Sequence, residues 1–114
     1  MRKTFRDILK PLILDESVIF VAIYRIDGTP IFIEMKKRGV LNILYWLEDQ
    51  VKILLHHIEN GLFTNAEFRI AKYQLLLYPL SKSLVLCVLA DEGASLYRLR
   101  LDISSVKKIF TKHV

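Results

Sequence analysis

The sequence holds little of what builds cross-links, tight loops or reactive centres: one cysteine, four glycines and three prolines in 114 residues. A lone thiol excludes an internal disulfide. Cys87 lies in the apolar run from Leu84 to Ala90, which marks it as a small buried hydrophobe. No Cys/His set has zinc spacing. His56 and His57 are neighbours on a helix, so they point about 100° apart and cannot chelate one metal. No Gly-x-Gly-x-x-Gly or Gly-Lys-Ser/Thr loop occurs, which excludes nucleotide binding through those motifs. Asp7, Asp15, Glu16, Asp27, Asp49, Asp91 and Asp102 read as turn or solvated-face residues, none with a nucleophile or base beside it. Ser104-Ser105 have no histidine partner. No catalytic residue, metal or cofactor is therefore expected. Long hydrophobic runs are missing too. Val18 to Tyr24 and Leu84 to Ala90 are strand-sized, far below the roughly 20 residues of a membrane span. The start, Met1-Arg2-Lys3-Thr4-Phe5, lacks the apolar stretch of a signal peptide. A cytoplasmic protein without a transmembrane segment is expected.

What remains is apolar and mildly basic. Residues of hydrophobic type make up 53% of the chain, and the net charge is +5 from 17 basic and 12 acidic residues. That fraction suits a sheet covered on both faces, or apolar surface kept for a partner. The basic residues are spread out, with small clusters at Lys36-Lys37-Arg38 and Lys107-Lys108. That is not the stripe of a nucleic-acid protein, and no nucleic-acid partner is expected. The length suits one domain, residues 1–114.

Hydrophobic periodicity gives the element order. Phe5, Ile8, Leu9 and Leu12 share a helical face, with Thr4 as N-cap, Asp7 completing a capping box, and Pro11 kinking or ending the helix. Val18 to Arg25 reads as a strand apolar on both faces, Val18, Phe20, Ala22 and Tyr24 on one and Ile19, Val21 and Ile23 on the other, hence central. Asp27-Gly28 makes a turn into a second strand, Ile31 to Met35. Val40 to about Asn60 is the longest helix, and Gly61 suits its C-cap. Three strands follow, Ala66 to Lys72, Gln74 to Leu80 and Ser83 to Ala90. A last helix runs from Ala94, with Leu96, Leu99, Ile103, Val106 and Phe110 on one face. The turn near Lys72-Tyr73 lacks the Gly/Asn chemistry expected there.

Charged side chains place two strands at edges: the second with Glu34, the third with Glu67, Arg69 and Lys72. The fifth is apolar throughout, so it joins the first in the middle. An order 2-1-5-4-3 satisfies this burial. The long helix must then cross from one edge to the other. Five strands span about 20 Å and twenty helical residues about 30 Å, so the crossing is feasible. The expected class is α+β: a five-stranded antiparallel sheet, one long helix on one face, and the N- and C-terminal helices on the other, a profilin/longin-like layout.

With that order, the chain resembles the roadblock/dynein-light-chain family over essentially its whole length. The likeness rests on Val21-Ala22-Ile23 leading into Asp27-Gly28-Thr29-Pro30-Ile31, on Leu77-Tyr78-Pro79-Leu80, on Leu86-Cys87-Val88-Leu89-Ala90 and on Leu96-Tyr97-Arg98-Leu99-Arg100-Leu101. The resemblance implies a non-enzymatic scaffold or regulator. It implies a homodimer, or a heterodimer with a paralogous roadblock chain, joined through the third strand and the long helix. It also implies, as for many prokaryotic members, a Ras-like small GTPase as partner.

The residues carry part of this on their own. Trp46, Gln50, Ile53 and His57 follow i, i+4, i+7 and i+11 and form a second seam on the long helix, beyond the one needed to cover a sheet. The alternative is that Trp46 only caps the edge of its own core. Glu67, Phe68, Arg69 and Ile70 lie on the third strand, whose free edge suits isologous pairing, with Glu67 and Arg69 opposed. Lys36, Lys37 and Arg38 are open to three readings: a GTPase contact, an anionic membrane, or solvent alone. The competing function is a monomeric longin- or profilin-like module for a peptide or small ligand.

Overall fold

The computed structural model describes residues 4–36, 41–59 and 65–113, with side chains at 4–36, 48–57 and 65–112. Helix α1 (Phe5–Ile8) begins with the expected capping box: Asp7 N–H donates to Thr4 Oγ1 at 3.2 Å, and Thr4 N–H donates to Asp7 Oδ2 at 3.3 Å. The first helical segment is two pieces. Leu9 leaves helical geometry, and α2 (Lys10–Ile13) restarts with Pro11 in its first turn. Proline has no N–H to continue the earlier ladder, but it suits a first turn. Ile8, Leu9 and Leu12 are still buried on one face.

Strands β1 (Val18–Arg25), β2 (Pro30–Met35), β3 (Ala66–Ile70), β4 (Tyr73–Pro79) and β5 (Leu84–Asp91) form one antiparallel sheet in the order β2-β1-β5-β4-β3. Helix α3 (Leu41–Glu59) covers one face; α1, α2 and α4 (Leu96–His113) cover the other. The α3 face is packed with Phe20, Ala22, Leu75, Leu77, Cys87 and Leu89 against Val51 and Leu55. The opposite face carries Val21, Ile23, Leu76, Leu86 and Val88 against Ile8, Leu12, Leu99, Ile103 and Val106. Strict alternation along β1 fails at its start. The β1–β5 register shifts between Val18 and Phe20, so Ile19 is a bulge residue. Val18 therefore joins the face of Val21, and Ile19 joins that of Phe20.

Two of the three hairpin turns depend on a left-handed residue. Gly28 sits at φ +95°, and a Cβ there would lie 2.9 Å from Lys52 Cγ, so both backbone and space require glycine. The β3–β4 turn has no glycine. Its two loop residues are Ala71 and Lys72, and Ala71 takes φ +51°. An L-alanine pays for that conformation by sterics alone. Ala71→Gly is expected to stabilise the fold by about 0.5–1 kcal/mol in urea melts, whereas an ordinary exposed turn would show no gain.

One polar link was not legible in the chain. Asp15, read above as a solvated turn residue, is buried. It accepts from Ser17 N–H (2.9 Å), Ser17 Oγ (2.7 Å) and Arg98 Nη2 (2.8 Å). Burial pushes its carboxyl up, but the Ser17 and Arg98 contacts outweigh that and hold it below the ordinary range. The contact joins the α2–β1 corner to α4 across 83 positions of sequence.

Candidate interaction surface

The two edges of the sheet are built differently. On β2, the register steps from Ile23↔Phe32 to Tyr24↔Pro30, leaving Ile31 as a bulge. Pro30 starts the strand, and Glu34 is held by Arg6 Nη1 at 2.5 Å. Proline, a bulge and a charge are the devices that keep an edge from recruiting another strand. β3 has none of the first two. Its five residues pair with β4 in unbroken register from Ala66↔Leu77 to Ile70↔Tyr73.

The direction of the free β3 groups follows from the ladder. Leu80 N–H donates to Leu84 O at 2.9 Å, and the β4–β5 register then makes Gln74, Leu76 and Tyr78 the residues bonded to β5. Tyr73, Leu75 and Leu77 thus bond to β3, through Ile70, Phe68 and Ala66. The backbone N–H and C=O groups of Glu67 and Arg69 are left facing outward. Their side chains lie on the α4 face, because Glu67 is opposite Leu76 and Arg69 opposite Gln74. Phe68, opposite Leu75, lies on the α3 face and is 38% exposed.

Phe68 therefore shares a face with the outer seam of α3. In that seam Ile53 is 53% exposed, although Val51 and Leu55 beside it are buried. Gln50 and His57 are half-buried. The side chain of Trp46 lies outside the described residues. Ile70 is half-buried against the α3-side core, and Arg69 is exposed. Phe68 of the third strand and Ile53 of α3 are thus both exposed on the α3 side of the sheet. Of the basic cluster, Lys36 is exposed, and its Nζ donates to Asp15 O. Lys37 and Arg38 lie outside the described residues.

Glu67 is more constrained than its sequence position indicates. Arg100 of α4 grips it through Nε–Oε2 at 2.8 Å and Nη2–Oε1 at 2.5 Å, and Tyr78 Oη donates to Oε2. The Arg100 bonds, against a smaller effect of burial and helped by Tyr78, bring the Glu67 carboxyl down to about 2. Burial and the Glu67 contact raise the Tyr78 phenol. An open cleft of about 510 Å³, lined by Asn65, Ala66, Glu67, Tyr78 and Arg100, lies beside this clamp. A carboxylate whose folded value is depressed stabilises the fold above its unfolded value of 4.5, and that contribution fades as pH falls toward 2. Glu67→Gln is expected to lose about 1–2 kcal/mol at neutral pH after solvent screening, with the gap to wild type closing in urea melts run near pH 2.

Elsewhere, the residue types that most often carry chemistry are buried or scattered. Complete burial pushes the Cys87 thiol up to about 12, so it is not a nucleophile. Ser104 and Ser105 are exposed on α4. Among the described residues no three His, Cys, Asp or Glu side chains converge to hold a metal, and no helix is long and apolar enough to cross a membrane.

The fold has well-matched solved counterparts. MglC from Myxococcus xanthus aligns with TM-score 0.78 at 13% identity, covering 96% of this chain and 98% of its own. A structure described as MglB with tetrameric arrangement aligns with TM-score 0.70 at 10% identity, covering 95% and 85%. A Roadblock/LC7 domain from Streptomyces avermitilis aligns with TM-score 0.69 at 10% identity, covering 90% of each chain. No curated protein matches the chain in sequence. A family model described as AF0774-like protein matches residues 2–104. The chain belongs to the AF0774-like protein family, and its fold is that of the Roadblock/LC7 domains.

Proposed function

We propose that residues 1–114 act as one roadblock-like domain: a cytoplasmic, non-enzymatic homodimer that serves as scaffold or regulator of a small Ras-like GTPase. The observation that carries the self-association is the contrast between the edges, β2 interrupted by Pro30 and the Ile31 bulge, and β3 free of both and in unbroken register, though charged at Glu67 and Arg69. An MglB of the same fold is described in a tetrameric arrangement, so self-association has a precedent in the fold. The GTPase partner rests on the family resemblance.

The outward groups define a register. A two-fold axis through Phe68 brings Phe68 opposite its own copy as a non-hydrogen-bonded pair. Glu67 then faces Arg69 of the partner in a pair that exchanges two backbone bonds, and the axis repeats the exchange. Glu67 and Arg69 side chains meet on the α4 face. Phe68 and the α3 seam of Gln50, Ile53 and His57 meet on the other, so strand and helix close the same interface.

Light scattering on a sizing column tests the reading. A wild-type dimer is expected, and Trp46→Glu with Ile53→Glu is expected to give folded monomers. A wild type that stays monomeric at every concentration overturns the homodimer and favours the monomeric longin- or profilin-like module. The partner is tested by titrating a Ras-like GTPase in GTP- and GDP-loaded forms. Binding that differs between the two supports a regulator, and no binding to either removes that role.

A further inference from the structure

Three of the most exposed large apolar side chains lie on the helical layer opposite α3: Leu14 (67%), Tyr97 (73%) and Leu101 (51%). Tyr97 and Leu101 are one turn apart on α4 and point away from the buried stripe of Leu99, Ile103, Val106 and Phe110. Leu14 follows α2 and lines the same cleft as Arg98 and Asp102 of α4. Farther along the outer face of α4 come Ser104, Ser105 and Lys108, all exposed. A helix that only covers a sheet gains nothing from Tyr97 and Leu101 in water.

The charge around the patch leans basic. Lys10, Lys107, Lys108 and Lys112 are exposed on α2 and α4, whereas Arg6, Arg98 and Arg100 are each paired with a carboxylate, and the exposed acids are Asp7, Glu16 and, just before α4, Glu92. The other two acids of the layer are withdrawn: Asp15 is buried against Arg98, and Asp102 is half-buried. The apolar residues also protrude; they do not enclose a hollow. The cleft that Leu14 borders, about 380 Å³, is lined otherwise by Pro11 and by the charged Asp15, Glu16, Arg98 and Asp102, a lining that suits an apolar protein anchor poorly.

We infer that this layer docks on the surface of an anionic lipid bilayer, with Leu14, Tyr97 and Leu101 entering the interface and Lys10, Lys108 and Lys112 facing the headgroups. Leucine and tyrosine suit the acyl–headgroup boundary, and each lysine or arginine near the surface adds attraction to anionic lipid. The contact is peripheral and reversible, because the apolar area is small and no helix among the described residues is long and apolar enough to span. It does not depend on self-association. In a dimer joined at β3 the two layers would lie on the same side of one continuous sheet, so avidity would strengthen the same contact.

Vesicle co-sedimentation tests this with the full chain. Vesicles of phosphatidylcholine with phosphatidylserine are expected to bind the protein, and pure phosphatidylcholine vesicles to bind it at least about tenfold more weakly. Leu14→Ser with Leu101→Ser, and separately Lys108→Glu with Lys112→Glu, are each expected to lower partitioning about tenfold. All four substituted side chains are solvent-exposed, and thermal melts by circular dichroism check that each variant is folded. Wild type that does not sediment with anionic vesicles overturns the proposal and assigns the patch to an acidic protein. Binding that survives the serine variants also overturns it, because adsorption would then be electrostatic and not through this patch.

Discussion

Arg69→Pro is expected to abolish self-association and leave the monomer folded. The Arg69 N–H points out of the sheet, so proline there removes no bond to β4. An edge strand tolerates the fixed φ, and the residue before proline is steered toward the extended backbone Phe68 already has. Monomer stability should change by less than about 1 kcal/mol. The dimer fares differently. In the Phe68-centred register each Arg69 N–H donates across the axis, so two bonds are lost at once and two carbonyls are left without partners. The dissociation constant should rise by about a hundredfold or more. Sedimentation velocity across a dilution series reads the constant, and a urea melt reads the fold. The same substitution at Phe68, whose N–H bonds to β4, should unfold the strand instead. A prolyl variant that dimerises like wild type would place the interface elsewhere.

The largest loss of stability is expected from Gln74→Leu. Gln74 is buried, and its side-chain nitrogen faces three backbone carbonyls: Asp91 O at 3.0 Å, Glu92 O at 3.1 Å and Ala94 O at 3.1 Å. One amide thus holds the whole β5–α4 connection to β4. Leucine matches the size but donates nothing: Asp91 O keeps its bond from Ala94 N–H, while the Glu92 and Ala94 carbonyls lose their side-chain donor. A cost of about 2–4 kcal/mol is expected, on the order of 10 °C in Tm. Gln74→Glu adds a sign test. A carboxylate facing carbonyls favours its protonated form, so its folded value is raised. Its stability then falls as pH rises from acid toward neutral, opposite to the effect of Glu67. A leucine variant within 1 kcal/mol of wild type, as an order-of-magnitude bound, would show that water already serves these carbonyls.

Elements that depend on period and burial were legible. β1 and β5 are apolar on both faces, which placed them in the middle; Glu34 and Glu67 marked the edges. The capping box at Thr4 is a local pattern and forms as written. What escaped is what depends on distant partners or on a one-residue slip. The bulge at Ile19 reversed two facings in β1, because a bulge inserts a residue without changing composition. Asp15 sits in a run that looks like any polar corner, and only the fold brings Arg98 to it. Glu67 reads as an edge charge, while its partners Arg100 and Tyr78 come from two other elements. Ala71 carries a turn that sequence chemistry assigns to glycine or asparagine, so its φ has no local signature. The exposed Leu14, Tyr97 and Leu101 look like ordinary helix residues until the buried stripe of α4 shows which side they face.

The candidate interface divides in the same way. The exposure of Ile53 was legible because helical spacing alone separates it from the buried Val51 and Leu55. The facing of Phe68 was not. A five-residue strand with mixed character gives no indication of which residues look outward until its pairing with β4 is known.

A disulfide at the proposed axis tests the central claim most directly. A non-hydrogen-bonded antiparallel pair holds its Cα atoms about 4.5 Å apart, within the window a disulfide accepts. Phe68→Cys is expected to give a covalent dimer under mild oxidation, whereas Glu67→Cys and Arg69→Cys, each offset from its own copy, are not. Buried Cys87 should stay reduced in all three. A covalent dimer from Phe68→Cys alone would fix both the edge and the register. Monomers from all three variants, or cross-linking at Glu67→Cys instead, would contradict the account.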